Sequence, residues 1–433
     1  MVNKNELFGH PEKTSLKLNQ GVHDGLFYFG KVIDLPGGET NCLIFSDRSY
    51  KVDFFRVDKG EDEIRNSGIR TMDQIQRIGT FWSNASIDNF LEGSVPEITI
   101  LELFHAIREQ YERYMDVPDE RILDLAAVYS IGTYCHCLFD AYGYLFFHSE
   151  MESGKTKFMR LMEQVCFNSQ NATNPSESSL FRLVHHNQST FFIDDYDGMD
   201  FLKQRAINLM LKIGYKKGGK TSRTETYKDG YKTYSFDLYC PKIISNTEGL
   251  EPITLSRCIP IRLFKSTSEK GRMTPKIDQQ WQELRDSCYV ATMQNWEQIQ
   301  SLYDHYTNDR LNNRNLETTK GLLSIAMLVG MDVHNGIADY LNETFEQRDI
   351  TEEESPDRTL WRRIKENVKE ERYYKMDEVL GWVKGDINEG IDLRKWIGKR
   401  LSRAPFRKER DKDRVKYRMS PDTVKHYIES KGY

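Results

Sequence analysis

The residues Gly143–Thr156, GYLFFHSEMESGKT, carry the strongest chemical signal in the chain. An aromatic-aliphatic run, Tyr144–Phe147, enters a turn that ends Gly154-Lys155-Thr156. Phe158, Leu161, Met162 and Val165 then fall on one helical face. Strand, loop and helix in that order form the phosphate-cradling unit of P-loop proteins. Successive backbone N–H groups and a helix N-terminus make a concavity for anions. Ser149, Glu150, Met151, Glu152, Ser153 and Gly154 would wrap the phosphates, with Lys155, Thr156 and Lys157 following. Lys155 would reach the β- and γ-phosphates as a point charge, and the Thr156 hydroxyl would ligate Mg²⁺. Two features depart from the GxxxxGK[ST] pattern. Ser149 stands at its first Gly, and Glu150 and Glu152 make the loop acidic.

Ser189–Asp197, STFFIDDYD, reads as a buried strand ending in two carboxylates. A parallel strand beside the P-loop strand that ends in an acid completes a Mg²⁺ site. Asp194 would take the metal, mostly through water. Asp195 would orient and deprotonate the attacking water, one methylene short of the usual Glu. Lys242–Asn246, KIISN, is another short apolar strand. In ATPases of this type a polar residue on the strand between the two motif strands hydrogen-bonds that water, and the Asn246 amide can donate and accept. In Leu255–Leu263, LSRCIPIRL, Arg257 precedes a strand. A guanidinium there can stabilise transition-state charge in a neighbouring subunit; Arg262 is the second choice.

These groups need a scaffold. Residues 142–265 alternate strand and helix, the pattern of an α/β core. Ahead of them, Leu26–Asp34, Asn41–Phe45 and Tyr50–Val57 read as strands split by turn formers at 36–38 and 47–49. From Glu97 the apolar period becomes helical, and a second helix is predicted from Pro118 to about Cys137. Trp281–Tyr303 and Thr318–Met331 are predicted helices, and the acidic stretch 350–358 a linker. Three short helices, a basic hairpin and a last helix from Pro421 suit a winged-helix domain.

The chain has 433 residues, net charge −5, and 38% hydrophobic residues. That composition excludes a disordered chain, and apolar runs of a few residues exclude a membrane-spanning one. The N-terminus shows no secretory signal, and seven scattered Cys fit reduced thiols in the cytoplasm. Basic residues gather locally: Arg394–Arg418 holds 12 Lys and Arg against three acids.

P-loop, Asp-Asp, Asn and Arg follow in the order and spacing of the AAA+ ATPase core. From about 98 to 332 the chain resembles the helicase-like AAA+ ATPases of phages, plasmids and other mobile elements, relatives of the MCM replicative helicases. The phrases that carry the likeness are Gly214–Gly218 (GYKKG), Phe236–Lys242 (FDLYCPK), Leu255–Ile259 (LSRCI) and Gly321–Ala326 followed by Gly330. The resemblance implies Walker A at Ser149–Thr156, Walker B at Asp194 and Asp195, sensor 1 at Asn246 and an arginine finger at Arg257. It implies a sensor-2 arginine in the helical lid, Arg310 or Arg314, with Arg310 preferred. The expected chain is multidomain α/β. It has a β-rich N-terminal domain (1–96), a helical connector (97–141), an AAA+ P-loop NTPase core (142–278), a helical lid (279–349) and a C-terminal winged helix (356–433).

Residues 216–234, KKGGKTSRTETYKDGYKTY, form a predicted hairpin around Asp229-Gly230. In the resembled helicases a hairpin inserted there points into the ring channel. Lys216, Lys217, Lys220, Arg223, Lys228 and Lys232 would grip phosphates, and Tyr227 and Tyr231 would stack on bases. At the C-terminus Arg394, Lys395, Lys399 and Arg400 on a helix and Arg407 and Lys408 on a wing form a second DNA-binding candidate. Cys135-His136-Cys137 suits no structural zinc spacing and reads as core, and His185-His186 as packing.

The expected molecule binds ATP and Mg²⁺ between subunits, because Arg257 has no evident role inside its own. It would form a homo-oligomeric ring, expected to be a hexamer, on single-stranded or forked DNA, with a primase or other replication protein as a further expected partner. The alternative is a nucleotide-gated DNA-binding switch with little translocation, which Ser149 and Asp195 favour. A nucleotide kinase shares the P-loop but needs neither hairpin nor winged helix.

Overall fold

The computed structural model describes residues 19–35, 38–52, 82–171, 177–195, 201–227, 230–247, 249–353, 356–387, 392–402, 404–411 and 414–431. The chain divides into two compact units, residues up to Glu343 and residues from Thr344.

The first unit begins with an antiparallel meander in the order β1-β2-β3-β4: β1 (Gln20–His23), β2 (Leu26–Leu35), β3 (Gly38–Phe45) and β4 (Tyr50–Val52). Asp24 and Gly25, both at positive φ (52° and 77°), form the two-residue turn that pairs His23 with Leu26. The predicted turn at 36–38 and the end of the strand expected to reach Val57 lie partly outside the described residues. The β2 face is aromatic. The Phe29 ring meets Tyr289 at 4.7 Å and Phe167 at 5.6 Å, while Trp82 stacks on Tyr289 at 5.1 Å. Buried rings of this size dominate the packing energy of such a joint.

Three helices and a short turn follow around the sheet entry: α1 (Asn84–Glu92), α2 (Ile100–Tyr114), α3 (Arg121–Thr133), then a 3₁₀ turn at His136–Leu138. Thr99 and Glu102 close a capping box that starts α2. The helix predicted from Pro118 to Cys137 is therefore shorter at both ends. Its start is set by Asp119, whose carboxylate accepts from the Arg121 N–H at 2.9 Å.

The central sheet is parallel and five-stranded. It contains β5 (Tyr144–His148), β6 (Gln170–Asn171), β7 (Phe191–Ile193), β10 (Lys242–Asn246) and β11 (Cys258–Ile261), in the order β11-β5-β10-β7-β6. Helices α4 (Lys155–Val165), α5 (Glu177–Asn187) and α6 (Phe201–Ile213) connect the strands, and a two-stranded ribbon, β8 (Lys220–Tyr227) with β9 (Gly230–Asp237), is inserted before β10. Phe146, Phe191, Ile193 and Ile244 face one way, into a cluster with Leu180, Phe181, Val184, Ile207 and Met210 of α5 and α6. The alternate face receives α4, with the Phe147 and Phe158 rings 5.4 Å apart.

Single-turn helices flank β11, α7 (Pro252–Leu255) before it and α8 (Glu269–Arg272) after it, and then come α9 (Gln279–His305), α10 (Asn313–Val329) and α11 (Met331–Glu353). The helix predicted over Thr318–Met331 is broken at Gly330, whose φ of 150° favours glycine. The predicted linker at 350–358 is mostly helical: α11 runs to Glu353 and α12 starts at Pro356, where proline suits a first turn.

The second unit contains α12 (Pro356–Asn367), β12 (Arg372–Lys375), α13 (Met376–Val383), α14 (Leu393–Leu401), β13 (Arg407–Asp411), β14 (Arg414–Met419) and α15 (Pro421–Lys431). Its sheet is antiparallel in the order β12-β14-β13. Leu360, Trp361, Ile364, Val379, Ile397, Leu401, Tyr417 and Met419 make a core of its own. Among the described residues no helix is long and apolar enough to cross a membrane.

Candidate functional site

β5 ends at His148, and the loop returns as α4 at Lys155, so the helix N-terminus opens at the carboxyl ends of the parallel strands. Gly154, at φ 88°, makes the turn into the helix, and Glu152 is also at positive φ, 61°. Lys155 Nζ donates to the carbonyl of Glu150 at 2.7 Å and to that of Ser149. The Ser149 hydroxyl accepts the N–H of Leu263 at 2.7 Å, which ties the loop to the residue group after β11. Serine at the usual glycine position thus has a defined partner. Glu152 pairs with Lys265 at the surface. Lys157 donates to the Lys270 carbonyl at 2.6 Å, Met151 is exposed, and Thr156 is exposed on the first turn of α4.

β10, the Asn246 strand, stands between the Lys155-bearing strand–loop unit of β5 and the acidic strand β7, the place expected for it, so the acidic strand is one position removed from β5 rather than directly beside it. Register explains the result. Ser245 pairs with Phe147, and Ile244 with Ile193, so Asp194 follows onto the same face as Phe147, Ser245 and α4. The Ser245 hydroxyl donates to Asp194 Oδ1, and the Asp195 N–H donates to the same oxygen at 3.1 Å. Burial lowers the Lys155 ammonium below its ordinary value, and the Asp194 carboxylate opposes that shift. Asp195, exposed, takes a positive φ of 52° at the strand end. Ser245 was missed by a reading fixed on its neighbour. The signal available was the two-residue period, which sets Ser245 and Asn246 on opposite faces.

Asn246 is buried on that other face. Its amide donates to the Gly249 carbonyl at 2.7 Å and accepts the Gly249 N–H at 2.6 Å, closing the turn after β10. Arg257 corrects the expectation that it has no role in its own subunit. Its Nε donates to the Lys212 carbonyl at 3.0 Å, its Nη1 to that of Ile253, and its guanidinium lies 5.0 Å from the Tyr215 ring centroid. The Arg257 carbonyl accepts from the Tyr144 N–H at 3.0 Å, at the start of β5. The P-loop lies past the other end of that strand, about 13 Å away at ~3.3 Å per residue. Arg314 lies 5.2 Å from the same Tyr215 ring and bonds its hydroxyl. Arg310 pairs with Asp339 at 2.5 Å. The two sensor-2 candidates are therefore held by Asp339 and Tyr215. Arg262 is exposed at the end of β11, next to the Ile261–Phe147 pair.

On the ribbon, Lys217 and Lys220 are exposed, Lys216 pairs with Glu317 at 2.6 Å, and Arg223 covers the Phe181 ring at 4.7 Å. Tyr231, at the tip, is 81% exposed. Lys228 lies outside the described residues, as do the side chains of Tyr227 and Lys232. In the second unit Lys395, Lys399, Arg407 and Lys408 are exposed. Arg394 instead pairs with Asp377, and Arg400 pairs with Asp357 while stacking 3.8 Å from the Trp396 ring centroid. His136 Nδ1 contacts Gln20 Nε2 at 3.1 Å beside buried Cys135, and His185 accepts the Asp237 N–H at 3.0 Å, so both clusters pack.

The donor set fits a magnesium nucleotide. Among the described residues the Ser153 hydroxyl, buried in the loop between β5 and α4, has no partner, which suits a loop shaped for an acceptor. Among the described residues no three His, Cys, Asp or Glu side chains cluster. Mg²⁺ held with phosphates needs only one or two carboxylates.

No family model matches the chain, and no curated protein does. Among solved structures it is similar to a full-length MCM homolog from Methanopyrus kandleri, with a TM-score of 0.39 and 10% identity over 76% of this chain and 75% of that one. JCV helicase aligns with a TM-score of 0.26 and 14% identity over 58% of this chain and 61% of that one. The NrS-1 C-terminal region, in its A-form apo structure, aligns at 0.32 and 10% identity over 90% and 97%.

Proposed function

We propose that the protein is an AAA+ ATPase that hydrolyses ATP at the interfaces of a ring, a hexamer in the simplest case, and uses the turnover to move along or unwind DNA. One observation carries the reading: Lys155, at the head of α4, and Asp194 act on one face of a parallel sheet, with Ser245 fixing the carboxylate between them. In this reading Lys155 leaves the Ser149 and Glu150 carbonyls to neutralise the β- and γ-phosphates. The amides of Ser149 to Gly154 cradle the same oxygens, and Lys157 adds positive charge at the rim. Thr156 and Asp194 would hold Mg²⁺, which when bound neutralises charge on the phosphates. Asp195 orients the attacking water and takes its proton, while Asn246, on the opposite face of β10, holds the turn with Gly249 rather than the water.

Arg257 stands too far from its own P-loop to serve it, which supports action on a neighbour's nucleotide. Arg314, on the same Tyr215 ring, would accompany it, rather than Arg310. The Lys220–Asp237 ribbon would line the channel for single-stranded or forked DNA. The second unit, three helices before a basic two-stranded hairpin, would serve as a winged helix. The switch reading keeps support from the closed Asn246 turn and from Asp195 in place of Glu. Purified protein with a forked duplex decides between them. ATP-dependent strand displacement is the expected result. Tight ATP and DNA binding without turnover would favour the switch, and neither binding nor turnover would remove both readings.

A further inference from the structure

Lys242, the first residue of β10, is fully buried, and among the described residues it forms no ion pair. Its ammonium donates to three carbonyls: Gly214 at 3.1 Å, Leu238 at 3.0 Å and Cys240 at 2.9 Å. An ammonium has three N–H groups, so this tripod uses them all. The Tyr144 ring centroid lies 4.9 Å from Nζ and offers the charge a π-face. Gly214 shows how tightly the knot is drawn. A Cβ there would lie 2.2 Å from the Leu238 carbonyl oxygen and 2.9 Å from Lys242 Nζ.

The three carbonyls have a common meaning in the chain. Gly214 follows α6 and begins the entry to the β8–β9 ribbon; Leu238 and Cys240 form its exit. The Gly214 carbonyl also accepts the Cys240 N–H at 3.3 Å, and Leu238 donates to the Gly219 carbonyl at 2.9 Å. One side chain thus ties entry and exit to the strand that carries Ser245 and Asn246 at its other end. Desolvating a cation without a carboxylate partner is costly, and the three carbonyls offset that cost only while the ribbon root keeps this geometry. The charge therefore secures a geometry rather than stability alone.

We propose that Lys242 is a positioning residue that locks the root of the ribbon to β10, so that a shift of Ser245 and Asp194 at the nucleotide end moves the ribbon, and a load on the ribbon is felt at that end. The inference rests on reading the site as an ATPase with a DNA-contacting ribbon.

The test compares full-length wild type with Lys242→Met, and with Gly214→Ala, which presses a methyl into the same knot but keeps the charge. Amide hydrogen exchange reports the ribbon root, residues 214–219 and 238–240. ATP turnover is measured with and without single-stranded DNA. In both variants exchange at the root should rise about tenfold with α9 and α10 unchanged. Basal turnover should stay within about threefold of wild type, while stimulation by DNA falls about tenfold, as expected when an aligned element loses its position. Unchanged exchange and unchanged stimulation would reduce Lys242 to a packing residue and overturn the proposal. Wild type lacking DNA-stimulated turnover would sink the motor reading instead, and the exchange result still judges the lock. If Lys242→Met does not fold, Gly214→Ala decides with the same two readouts.

Discussion

Ser245 donates its hydroxyl hydrogen to Asp194, across the gap between two neighbouring parallel strands. The Asp195 amide donates to the same oxygen at 3.1 Å, so two donors fix how the carboxylate is presented toward α4. Removing one of them in Ser245→Ala should cost about 1–1.5 kcal/mol of orientation, or roughly tenfold in kcat/KM for ATP. The Mg²⁺ concentration for half-maximal turnover should rise in parallel, and Ser245→Thr should recover most of the loss. A magnesium titration identical to wild type would detach Ser245 from the metal site.

Lys155→Ala should abolish ATP turnover and leave the fold intact. The side chain is half-buried, and its partners are two loop carbonyls that water can satisfy in its place. The thermal midpoint should therefore move by no more than about 2 °C, within the range of surface changes. Steady-state turnover at the wild-type level would remove the P-loop assignment.

The strand–loop–helix at Tyr144–Val165 was legible because an apolar run, a Gly-Lys-Thr turn and a helical stripe are all local signals. The position of Asn246 between the motif strands was legible for the same reason, each strand being a short buried run. What the sequence concealed depends on register and on distant partners. Ser245 acquires its role only when Ile244 is aligned with Ile193. Ser149 looked like a defect until Leu263, 114 positions on, supplied an amide. Arg257 looked unemployed because its partners, Lys212 in the last turn of α6 and Tyr215 just past it, meet it only in the folded chain. The Asp24-Gly25 hairpin turn is carried by its dipeptide, a local signal of the same kind.

Arg257 has two duties to separate. Arg257→Ala removes hydrogen bonds to the Lys212 and Ile253 carbonyls and the contact with Tyr215, and should lower stability by about 1–3 kcal/mol. It should also silence the neighbour's site. Mixing Arg257→Ala subunits with Asp195→Asn subunits should restore part of the ATP turnover at intermediate ratios, since some interfaces then carry both intact groups. Turnover that stays flat at every ratio, at a temperature where both variants are folded, would leave Arg257 a structural residue only.

The exposed cations of the second unit should dominate its salt response. Lys395, Lys399, Arg407 and Lys408 are exposed and carry no carboxylate partner among the described residues, whereas Arg394 and Arg400 are paired with Asp377 and Asp357. Each exposed residue changed to Ala should lower the slope of log affinity against log salt by about one for duplex DNA. Arg394→Ala should change it less. Fluorescence anisotropy of a labelled duplex between about 50 and 200 mM salt measures the slope. Equal slopes for wild type and the fourfold variant would exclude this surface from DNA contact.

Glu163, on α4 below the P-loop, gives a pH test with a definite sign. Burial raises its carboxyl above the ordinary glutamate value, the Asn171 amide at 2.9 Å and Arg160 oppose the shift, and the Asp194 charge adds to it. The folded protein therefore holds this proton to a higher pH than the unfolded chain does. Where the folded state binds more protons, stability falls as pH rises. The fall should begin at the ordinary glutamate value and level off above the raised one. Glu163→Gln keeps an amide oxygen for Asn171 and carries no charge, so it should be more stable than wild type at pH 7 and level with it near pH 4. Urea midpoints measured at the two pH values give the comparison. A variant less stable than wild type at pH 7, by the same margin as at pH 4, would show that the Glu163 carboxylate is not strained by its surroundings.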